Sequence, residues 1–444
     1  MPDLKDSNIE WIGAIPQHWE TTKIKKEFKV SPSNVDKKVV DGEVEVKLCN
    51  YVDVYYNDRI TKDLDFMIAT AKEAEIQKFQ LEKGDVLMTK DSEDPFDIAV
   101  PTYVDYTEPK LLCGYHLSML RTINKKIDGK FLFWSLANES IASQLFREAT
   151  GVTRWAIASR HIKNATIAFP PLEEQKAIAD YLDKATAKID RVIKIKEEQL
   201  DEISAFFKSR VFEFLTKGVE SKPLKDTGYE RFKEIPENWK VTRLKSVVSK
   251  VNSGVTPKGG ATSYVNEGIP LIRSQNVVFN KLNFSDIVFI SQQTHDKMKN
   301  SQVLNGDVLL NITGASIGRC YFAEGIEEAN VNQHVCILRP FELITTKYLY
   351  YLMFSEIGQS QIYSGFTGSG REGISFESIK SFKIPLPPKE EQYKIIEKLD
   401  SLVNLIEKQK TKIVSQIDTL QEYRKSLIHE CVTGKKQVCE PILN

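Results

Sequence analysis

The sequence contains few cysteines, and none of them lies in a metal-binding or disulfide pattern. No two form a CxxC pair, which excludes a zinc ribbon and argues against the disulfide framework of a small secreted domain. The six are Cys49, Cys113, Cys320, Cys336, Cys431 and Cys439. The first residues also lack the apolar core of a secretory signal peptide. We therefore expect a cytoplasmic protein with reduced thiols.

Long apolar runs and an excess of either charge are missing as well. No run approaches the roughly 20 apolar residues that a membrane-spanning helix needs, so we expect no membrane association. The 61 Lys and Arg residues balance 61 Asp and Glu residues, which argues against a uniformly basic nucleic-acid-binding surface. The balance is not uniform, because residues 1–222 carry a net charge of −4 and residues 223–444 carry +4.

The motifs of a self-contained active site are also absent. There is no GxxxxGK[ST] phosphate loop, no HExxH zinc motif, no glycine-rich signature for S-adenosylmethionine and no Asn-Pro-Pro-aromatic box for flipping an adenine. The histidines have no metal-ligand spacing. His116 and His334 recur at matched positions, but each precedes a strand-like run, where a structural polar cap is favoured over catalysis. The sequence thus predicts no catalytic residue, no metal site and no cofactor in this chain.

The most informative feature that the sequence does contain is an internal duplication. Residues 15–19 (IPQHW) recur as residues 235–239 (IPENW), and residues 170–175 (PPLEEQ) recur as residues 387–392 (PPKEEQ). In the 48 residues that begin at the second proline of each copy, 14 are identical at a constant offset of 217. A repeat of this length is too long for a solenoid unit. It indicates a duplicated pair of segments, each a variable globular part followed by a helix.

The segments after the two Pro-Pro pairs predict long helices with one narrow apolar face. Apolar residues at spacings of three and four are typical of a two-stranded coiled coil, and about 45 residues make a rod on the order of 65 Å. The predicted seam consists of Ile178, Leu182, Ile189, Leu200, Ile203, Ile395, Leu399, Ile406, Ile413 and Leu420. A pseudo-two-fold axis relating the two copies would make these helices antiparallel partners.

Two questions about the helices stay open at this point. Each helix could instead be an ordinary amphipathic helix that packs only on its own domain. Polar residues also interrupt the seam, and they fit either a device that sets the register or a solvated gap. These residues are Lys196, Gln199, Gln409 and Gln416.

The globular segments mix strand-like and helical patterns without a βαβ alternation, which indicates irregular α+β lobes. The sequence therefore predicts an α+β fold in which two duplicated lobes are separated by a long antiparallel two-helix coiled coil. The predicted segments are a first lobe at 1–170, a central helix at 171–218, a second lobe at 219–387, a C-terminal helix at 388–436 and a tail at 437–444. Trp19 and Trp239, in the repeated IPxxW motif, are predicted to anchor the cores of the lobes.

Two copies of IPxxW, each opening a variable segment that is closed by PPxEEQ and a long helix, resemble the specificity subunit of type I restriction-modification systems. The resemblance covers essentially the whole chain, and PPxEEQ is fairly specific when it occurs twice at this spacing. It implies that the lobes are target recognition domains and that the helices dock two methyltransferase subunits. It also implies a non-catalytic chain, whose partner subunits use S-adenosylmethionine, ATP and Mg for adenine methylation, restriction and translocation.

Two non-identical lobes on a rigid rod would read an asymmetric, two-part sequence in double-stranded DNA with an unread gap between its halves. The rod would set the gap and the side chains of each lobe would select the bases. A neutral chain is compatible with this function if its partners supply much of the phosphate contact. The sequence itself does not give the bases, the gap length or which lobe reads which half-site.

Candidate DNA contacts are loop residues with hydroxyl, amide, aromatic or basic side chains, which can reach base edges or phosphates. In the first lobe they are Lys47, Asn50, Tyr51, Lys90, Thr150, Thr153, Arg154 and Trp155. In the second lobe they are Ser253, Thr256, Lys258, Arg273, Ser274, Gln275, Asn276, Thr313, Ser316, Arg319, Thr367, Ser369 and Arg371. Arg154 and Arg371 rank highest, because an arginine follows a glycine-containing turn in both copies.

Each candidate has the alternative of being an ordinary solvated loop residue. The lobes also differ at one matched loop, which is acidic at residues 90–94 and neutral at residues 311–315. This difference predicts that the lobes read different sequences and that the acidic loop faces away from DNA. For the whole chain, the main alternative is a coiled-coil adaptor that binds proteins and has no role at DNA. A free-standing enzyme is disfavoured by the missing motifs.

Overall fold

The computed structural model describes residues 3–95, 97–365 and 373–438. Described residues up to 196 and from 414 onward form one structural unit, and residues 197–413 form a second one. Each unit contains one lobe together with part of both long helices. We call the residues before the first long helix the first lobe, and those between the two long helices the second lobe.

Two long helices begin directly after the Pro-Pro pairs, where proline suits a helix start and two glutamates in the first turn interact favourably with the helix dipole. No helix within the described ranges is long and apolar enough to cross a membrane. The helices are α1 Ile24–Glu27, α2 Tyr51–Tyr55, α3 Glu73–Phe79, α4 Gly129–Leu136, α5 Glu139–Phe146, α6 Ser159–Asn164, α7 Leu172–Lys217, α8 Gln292–Lys297, α9 Thr346–Phe354, α10 Glu356–Ser364, α11 Phe376–Ser381 and α12 Lys389–Val432.

The strands of the first lobe are β1 Leu4–Asp6, β2 Ala14–Pro16, β3 Glu20–Lys23, β4 Phe28–Pro32, β5 Val44–Cys49, β6 Arg59–Ile60, β7 Met67–Ala71, β8 Val86–Thr89, β9 Asp91–Ser92, β10 Pro101–Val104, β11 Leu111–Cys113, β12 Leu117–Thr122, β13 Thr150–Gly151, β14 Trp155–Ala156 and β15 Thr166–Phe169. The largest sheet has the order β4-β12-β8-β10-β6, and a second sheet has the order β11-β5-β7. Strand β9 pairs with the β13–β14 hairpin, and β3 pairs with β15.

The strands of the second lobe are β16 Leu224–Asp226, β17 Glu234–Pro236, β18 Lys240–Arg243, β19 Val248–Ser253, β20 Ile269–Ile272, β21 Val277–Val278, β22 Lys281–Leu282, β23 Val288–Ile290, β24 Gln302–Val303, β25 Val308–Asn311, β26 Cys320–Phe322, β27 Ala329–Val331, β28 Val335–Pro340 and β29 Lys383–Leu386. Its main sheet has the order β19-β28-β25-β26, which repeats β4-β12-β8-β10 of the first lobe. A second sheet has the order β23-β20-β27-β24.

Each unit is built around an apolar cluster that joins a lobe to both long helices. In the first unit, Leu182 of α7 and Leu427 of α12 share the cluster with Phe131 of α4, and all three are essentially buried. In the second unit, Val211 of α7 and Leu399 of α12 share a cluster with Trp239 of the second lobe. The start of one helix thus packs with the end of the other, so the pair is antiparallel within each unit. This confirms the prediction of two duplicated α+β lobes with a long antiparallel helix pair.

The helices pack on the lobes as well as on each other. The interpretation as a coiled coil and the interpretation as amphipathic helices on their own domains therefore each describe part of the packing. Burial varies along the predicted seam, which is fully or largely buried at Ile178, Leu182, Ile189, Ile395, Leu399 and Ile406 and half-buried at Leu200, Ile203, Ile413 and Leu420. Near the middle of α7, the Lys196 Nζ atom donates a hydrogen bond to Gln416 Oε1 at 2.7 Å.

The repeated motifs meet at the start of each long helix. Trp19 Nε1 donates to Glu174 Oε1 at 3.1 Å, and Trp239 Nε1 donates to Glu391 Oε2 at 2.8 Å. Both indoles are fully buried, as predicted for core anchors. Burial opposes the charge of Glu391, but hydrogen bonds from Lys222, Trp239 and Asn238 outweigh it and lower the pKa of this carboxyl.

The glutamine of PPxEEQ is fully buried and satisfies backbone groups around the helix start. Gln175 accepts from the backbone of Asp128 at 2.8 Å and donates to two carbonyls, those of Lys126 and Pro170. Gln392 makes the equivalent set of three bonds in the second lobe. The motif is therefore explained by the way in which each lobe is fixed to its helix.

A second repeated contact lies about two turns further along each helix, eight residues after the glutamine of PPxEEQ. Asp183 of α7 accepts from Lys130 at 3.1 Å and from Trp134 at 3.0 Å. Its counterpart Asp400 of α12 accepts from Lys347 at 2.7 Å and from Tyr351 at 2.8 Å. These ion pairs and hydrogen bonds orient α4 and α9 on the long helices.

Candidate nucleic-acid interface

The two lobes present an equivalent position at the end of two adjacent antiparallel strands of the main sheet, β8 and β12 in the first lobe and β25 and β28 in the second. In the first lobe the backbone N–H of Lys90, just after β8, donates to the carbonyl of His116, just before β12, at 3.0 Å. In the second lobe Ile312 donates to His334 at the same distance, 3.0 Å. Strands β8 and β25 are buried along their whole length, so these strand ends are supported by the core of each lobe. The matched histidines thus occupy the same place in both copies.

In the first lobe this position holds a cluster of Asp91, His116 and Arg154. Asp91 Oδ1 accepts a hydrogen bond from Arg154 Nε at 3.0 Å and forms an ion pair with Nη2 at 2.8 Å. His116 Nδ1 lies 2.8 Å from the same oxygen. The Asp91 side chain is only 13% exposed, whereas that of Arg154 is 52% exposed. A largely buried carboxylate therefore holds a guanidinium that is half in solvent.

Aromatic rings and a lysine surround this cluster. The ring of Tyr51 lies edge-on to His116, with centroids 6.4 Å apart, and Tyr115 lies on another side with centroids 4.7 Å apart. Lys90 Nζ donates to the carbonyl of Ser33 at 2.7 Å and lies over the Tyr115 ring. Burial lowers the pKa of Lys90. The structure thus brings three predicted residues, Tyr51, Lys90 and Arg154, around Asp91 and His116.

Of the other five first-lobe candidates, three lie on a hairpin beside this cluster and two have side chains that contact other groups. Thr150 and Thr153 are exposed on the β13–β14 hairpin, where Trp155 pairs with Ser92 of β9. This pairing brings the hairpin beside Asp91. The remaining two candidates are occupied elsewhere. Lys47 forms an ion pair with Glu108 at 2.9 Å, and Asn50 caps α2.

In the second lobe the equivalent position is neutral. Thr313 takes the place of Asp91, and its Oγ1 lies 2.6 Å from His334 Nδ1. Gln333 Nε2 lies 2.9 Å from His334 Nε2, and the Gln333 side chain also accepts from Thr256. The two lobes therefore pair the same histidine with different side chains.

An open cleft of about 740 Å³ surrounds this neutral position. Predicted residues from two separate segments line it together with the histidine and its neighbours. The lining residues are Ser274, Gln275, Thr313, Gly314, Ala315, Ser316, Arg319, Gln333 and His334. The cleft thus collects hydroxyl, amide and guanidinium groups, which are the groups that read base edges.

The segment 273–276 is organised by one carboxylate. Asp286 accepts from Gln275, and its second oxygen accepts from Asn276 Nδ2 at 3.0 Å. Arg273 Nη2 donates to the backbone carbonyl of Asp286 at 2.6 Å. Asn276 is buried and also caps the short turn, so its amide is fully used inside the lobe. Ser274 and Gln275 are the members of this segment that line the cleft.

The remaining second-lobe candidates have local roles or lie outside the described residues. Ser253 ends β19 and donates to the carbonyl of Gly254 at 3.2 Å, and Lys258 is exposed in the loop that follows. The last three candidates, Thr367, Ser369 and Arg371, lie outside the described residues. Gly373, the next described residue, pairs with Thr313 at the edge of the cleft.

The sequence predicts Arg154 and Thr313 as DNA contacts but favours other roles for the groups that they contact. It favours structural caps for His116 and His334, and it predicts that the loop containing Asp91 faces away from DNA. Gln333 is not among the residues that the sequence predicts as contacts. The signal that could have found these residues is the recurrence of a histidine at matched positions in both copies, next to loops of different chemistry.

No cluster of His, Cys, Asp or Glu within the described ranges could hold a metal ion. The five cysteines of the described segments are buried and unpaired with one another. Burial raises the pKa of Cys336 to about 12 and that of Cys431 to about 12. These thiols are packing groups.

Comparisons with known proteins agree with this architecture. Residues 16–204 and 236–417 match the family model described as the type I restriction modification DNA specificity domain. The chain is 27% identical over 431 residues to the type I restriction enzyme MjaVIII specificity subunit of Methanocaldococcus jannaschii, covering 96% of this chain and 94% of that protein. It is 26% identical over 329 residues to the EcoBI specificity subunit of Escherichia coli, covering 71% and 68%.

Two solved structures show the same fold. One is a chain from a structural study of complex assembly and conformational transition of the type I R-M system, with a TM-score of 0.74 at 16% identity, covering 95% of this chain and 99% of that one. The other is the HsdS subunit from Thermoanaerobacter tengcongensis, with a TM-score of 0.53 at 17% identity and coverage of 95% and 98%. Together, the duplicated lobes, the long helices and a family model that matches most of the sequence show that the chain belongs to the specificity subunits of type I restriction-modification systems.

Proposed function

We propose that this chain reads an asymmetric, two-part target in double-stranded DNA, using one lobe for each half-site. The observation that carries the proposal is the matched position at the ends of the paired strands β8 and β12 in the first lobe and β25 and β28 in the second. The first lobe places Asp91 and Arg154 beside His116, whereas the second places Thr313 beside His334. The first lobe offers a carboxylate and a guanidinium to base edges, whereas the second lobe offers a hydroxyl and amides. The two sets differ in their hydrogen-bond donors and acceptors. Equivalent positions would therefore select different bases.

The family is one of non-catalytic specificity subunits, so the chemistry belongs to partners. We propose that two methyltransferase subunits dock on the long helices and that restriction and translocation subunits join through them. S-adenosylmethionine, ATP and Mg would be bound by those partners, and the complex would act in the cytoplasm. The long helices carry exposed apolar side chains that docked partner subunits would cover. They include Ile195, Phe206, Tyr393, Leu405 and Tyr423.

The test is methylome sequencing of a host that lacks other adenine methylation and expresses this chain with its methyltransferase partner. We expect N6-methyladenine in one motif of two unlike half-sites separated by a gap of constant length. A host without this chain but with the partner is the control and should lack the motif. A single uninterrupted motif, or methylation that does not depend on this chain, would contradict the proposal and favour a protein adaptor.

A further inference from the structure

The Asp91–His116–Arg154 cluster carries an inference about what the first lobe reads. The inference rests on the proposed function and goes beyond it, because it names a base and the side chain that selects it. Arg154 lies on the turn between β13 and β14, and Asp91 lies in β9, the strand that pairs with β14. The guanidinium is therefore held by a contact between two neighbouring segments of one small sheet.

The contacts of Arg154 use one edge of its guanidinium. Nε and Nη2 both contact Asp91 Oδ1, at 3.0 and 2.8 Å. Nη2 also lies 3.4 Å from His116 Nδ1. A guanidinium has five N–H donors in a fixed plane, so Nη1 and the second N–H of Nη2 form another edge. Because the side chain is 52% exposed, that edge is available to a ligand.

The electrostatic setting favours a fixed guanidinium. Asp91 is 13% exposed and is also contacted by His116, so its carboxylate is held in place and orients the half-exposed guanidinium of Arg154. A donor pair that is already oriented loses less rotamer entropy on binding than a mobile arginine does. The free edge of Arg154 thus presents two parallel N–H donors in a fixed orientation.

The base that matches two parallel donors is guanine. In the major groove guanine presents two acceptors, N7 and O6, whereas adenine presents the N7 acceptor beside the N6 donor. Against adenine, one arginine N–H would face another donor. Cytosine presents an N4 donor, and thymine presents one acceptor beside a methyl group. Arginine in this geometry therefore discriminates in favour of a G·C pair.

We propose that Arg154 reads a guanine in the half-site of the first lobe, with Asp91 and His116 as positioning residues that orient its guanidinium. The neutral cleft of the second lobe offers Gln275 and Gln333 at the matched place, so the two half-sites differ in chemistry. This proposal requires that the methylated DNA motif contain a G·C pair in at least one half-site. A methylome motif with only A·T pairs in both halves would overturn the assignment while leaving the two-part reading intact.

The direct experiment combines a variant with a modified base. In DNA carrying the methylome-derived motif, each guanine is replaced in turn by 7-deazaguanine, which lacks the N7 acceptor. Binding is measured for the complex of the full chain with its methyltransferase. We expect one substitution to weaken binding by wild type about tenfold. Arg154→Gln should bind more weakly and lose sensitivity to that same substitution.

The controls separate reading from folding and from charge. Arg147→Gln removes an exposed arginine of the same lobe outside the cluster and should keep full sensitivity to the modified base. Asp91→Asn keeps Arg154 but removes its charged partner, so sensitivity should fall while the thermal unfolding midpoint stays close to that of wild type. If Arg154→Gln remains as sensitive as wild type at every guanine, the inference is wrong. If wild type binds no two-part motif at all, the proposed function itself fails.

Discussion

Trp19 and Trp239 show how a repeated residue can be explained by one hydrogen bond. Each indole is fully buried and donates to the first-turn region of a long helix, at Glu174 and Glu391 respectively. The acceptor in each copy is a charged carboxylate, with a side chain 35% exposed at Glu174 and 17% exposed at Glu391. A hydrogen bond to a charged group contributes more to stability than one between neutral groups. The pairing of IPxxW with PPxEEQ in each copy therefore has an energetic reason, even though the tryptophan and the glutamate are 155 residues apart in one copy and 152 in the other.

Replacing Trp19 by Phe retains most of the apolar ring but removes the N–H donor. We expect the free energy of unfolding to fall by about 1–3 kcal/mol, measured from urea titrations of the full chain followed by circular dichroism. Trp11→Phe is the matched control in the same lobe, since the Trp11 Nε1 atom is buried without a hydrogen-bond partner among the described residues. Equal losses for the two variants would show that ring size, and not the bond to Glu174, is responsible.

The candidate site illustrates what residue patterns can and cannot predict. Arg154 could be selected from sequence, because it follows a glycine-containing turn at a position that recurs in the second copy. Its partner Asp91 lies 63 residues away, and only the pairing of β9 with β14 brings the two together. In the second lobe, the pairing of β25 with β28 places Gln333 at the cleft, and no local pattern encodes that pairing. DNA contact by any of these residues stays a prediction.

At the scale of elements, the long helices were the most predictable part of the fold. Pro-Pro, two glutamates and a heptad-like apolar pattern act locally, so their effect can be read from neighbouring residues. Burial along the seam was less predictable. Val192 continues the apolar spacing, yet its side chain is 40% exposed, because burial depends on where the lobe covers the helix. Ile417 is buried outside the regular pattern.

The contact between Lys196 and Gln416 allows a test of the polar interruption in the seam. A polar residue facing the partner helix lowers stability but restricts register. We expect the double variant Lys196→Leu/Gln416→Leu to unfold at a higher urea concentration than wild type, as measured by circular dichroism. Lys194→Leu, an exposed position on the same helix, should leave the midpoint nearly unchanged. A lower midpoint for the double variant would mean that the polar pair stabilises the helices.

At the scale of the molecule, a net charge of zero is compatible with DNA recognition if this chain does not have to supply most of the phosphate contacts. Residues 1–222 carry −4 and residues 223–444 carry +4, so neither half is strongly basic. Affinity for the phosphate backbone comes largely from cations. A chain of this kind can supply base selection and geometry, while partner subunits supply much of the phosphate contact. This division of roles between the chain and its partner subunits also fits the absence of catalytic motifs from the sequence.

If the helices set the spacing of the half-sites, shortening them should shorten the unread gap. Removing one heptad from each helix, residues 197–203 and 409–415, takes out about 10.5 Å of helix, or roughly three base pairs at ~3.4 Å each. We expect a methylome motif with the same half-sites and a gap shorter by about that amount. Methylation should be weaker, because three base pairs also turn the duplex by roughly a quarter of its ~10.5-base-pair repeat. A variant that replaces exposed residues in the same heptads, at unchanged length, should keep the original gap. An unchanged gap after the deletion would show that lobe contacts, and not helix length, determine the spacing.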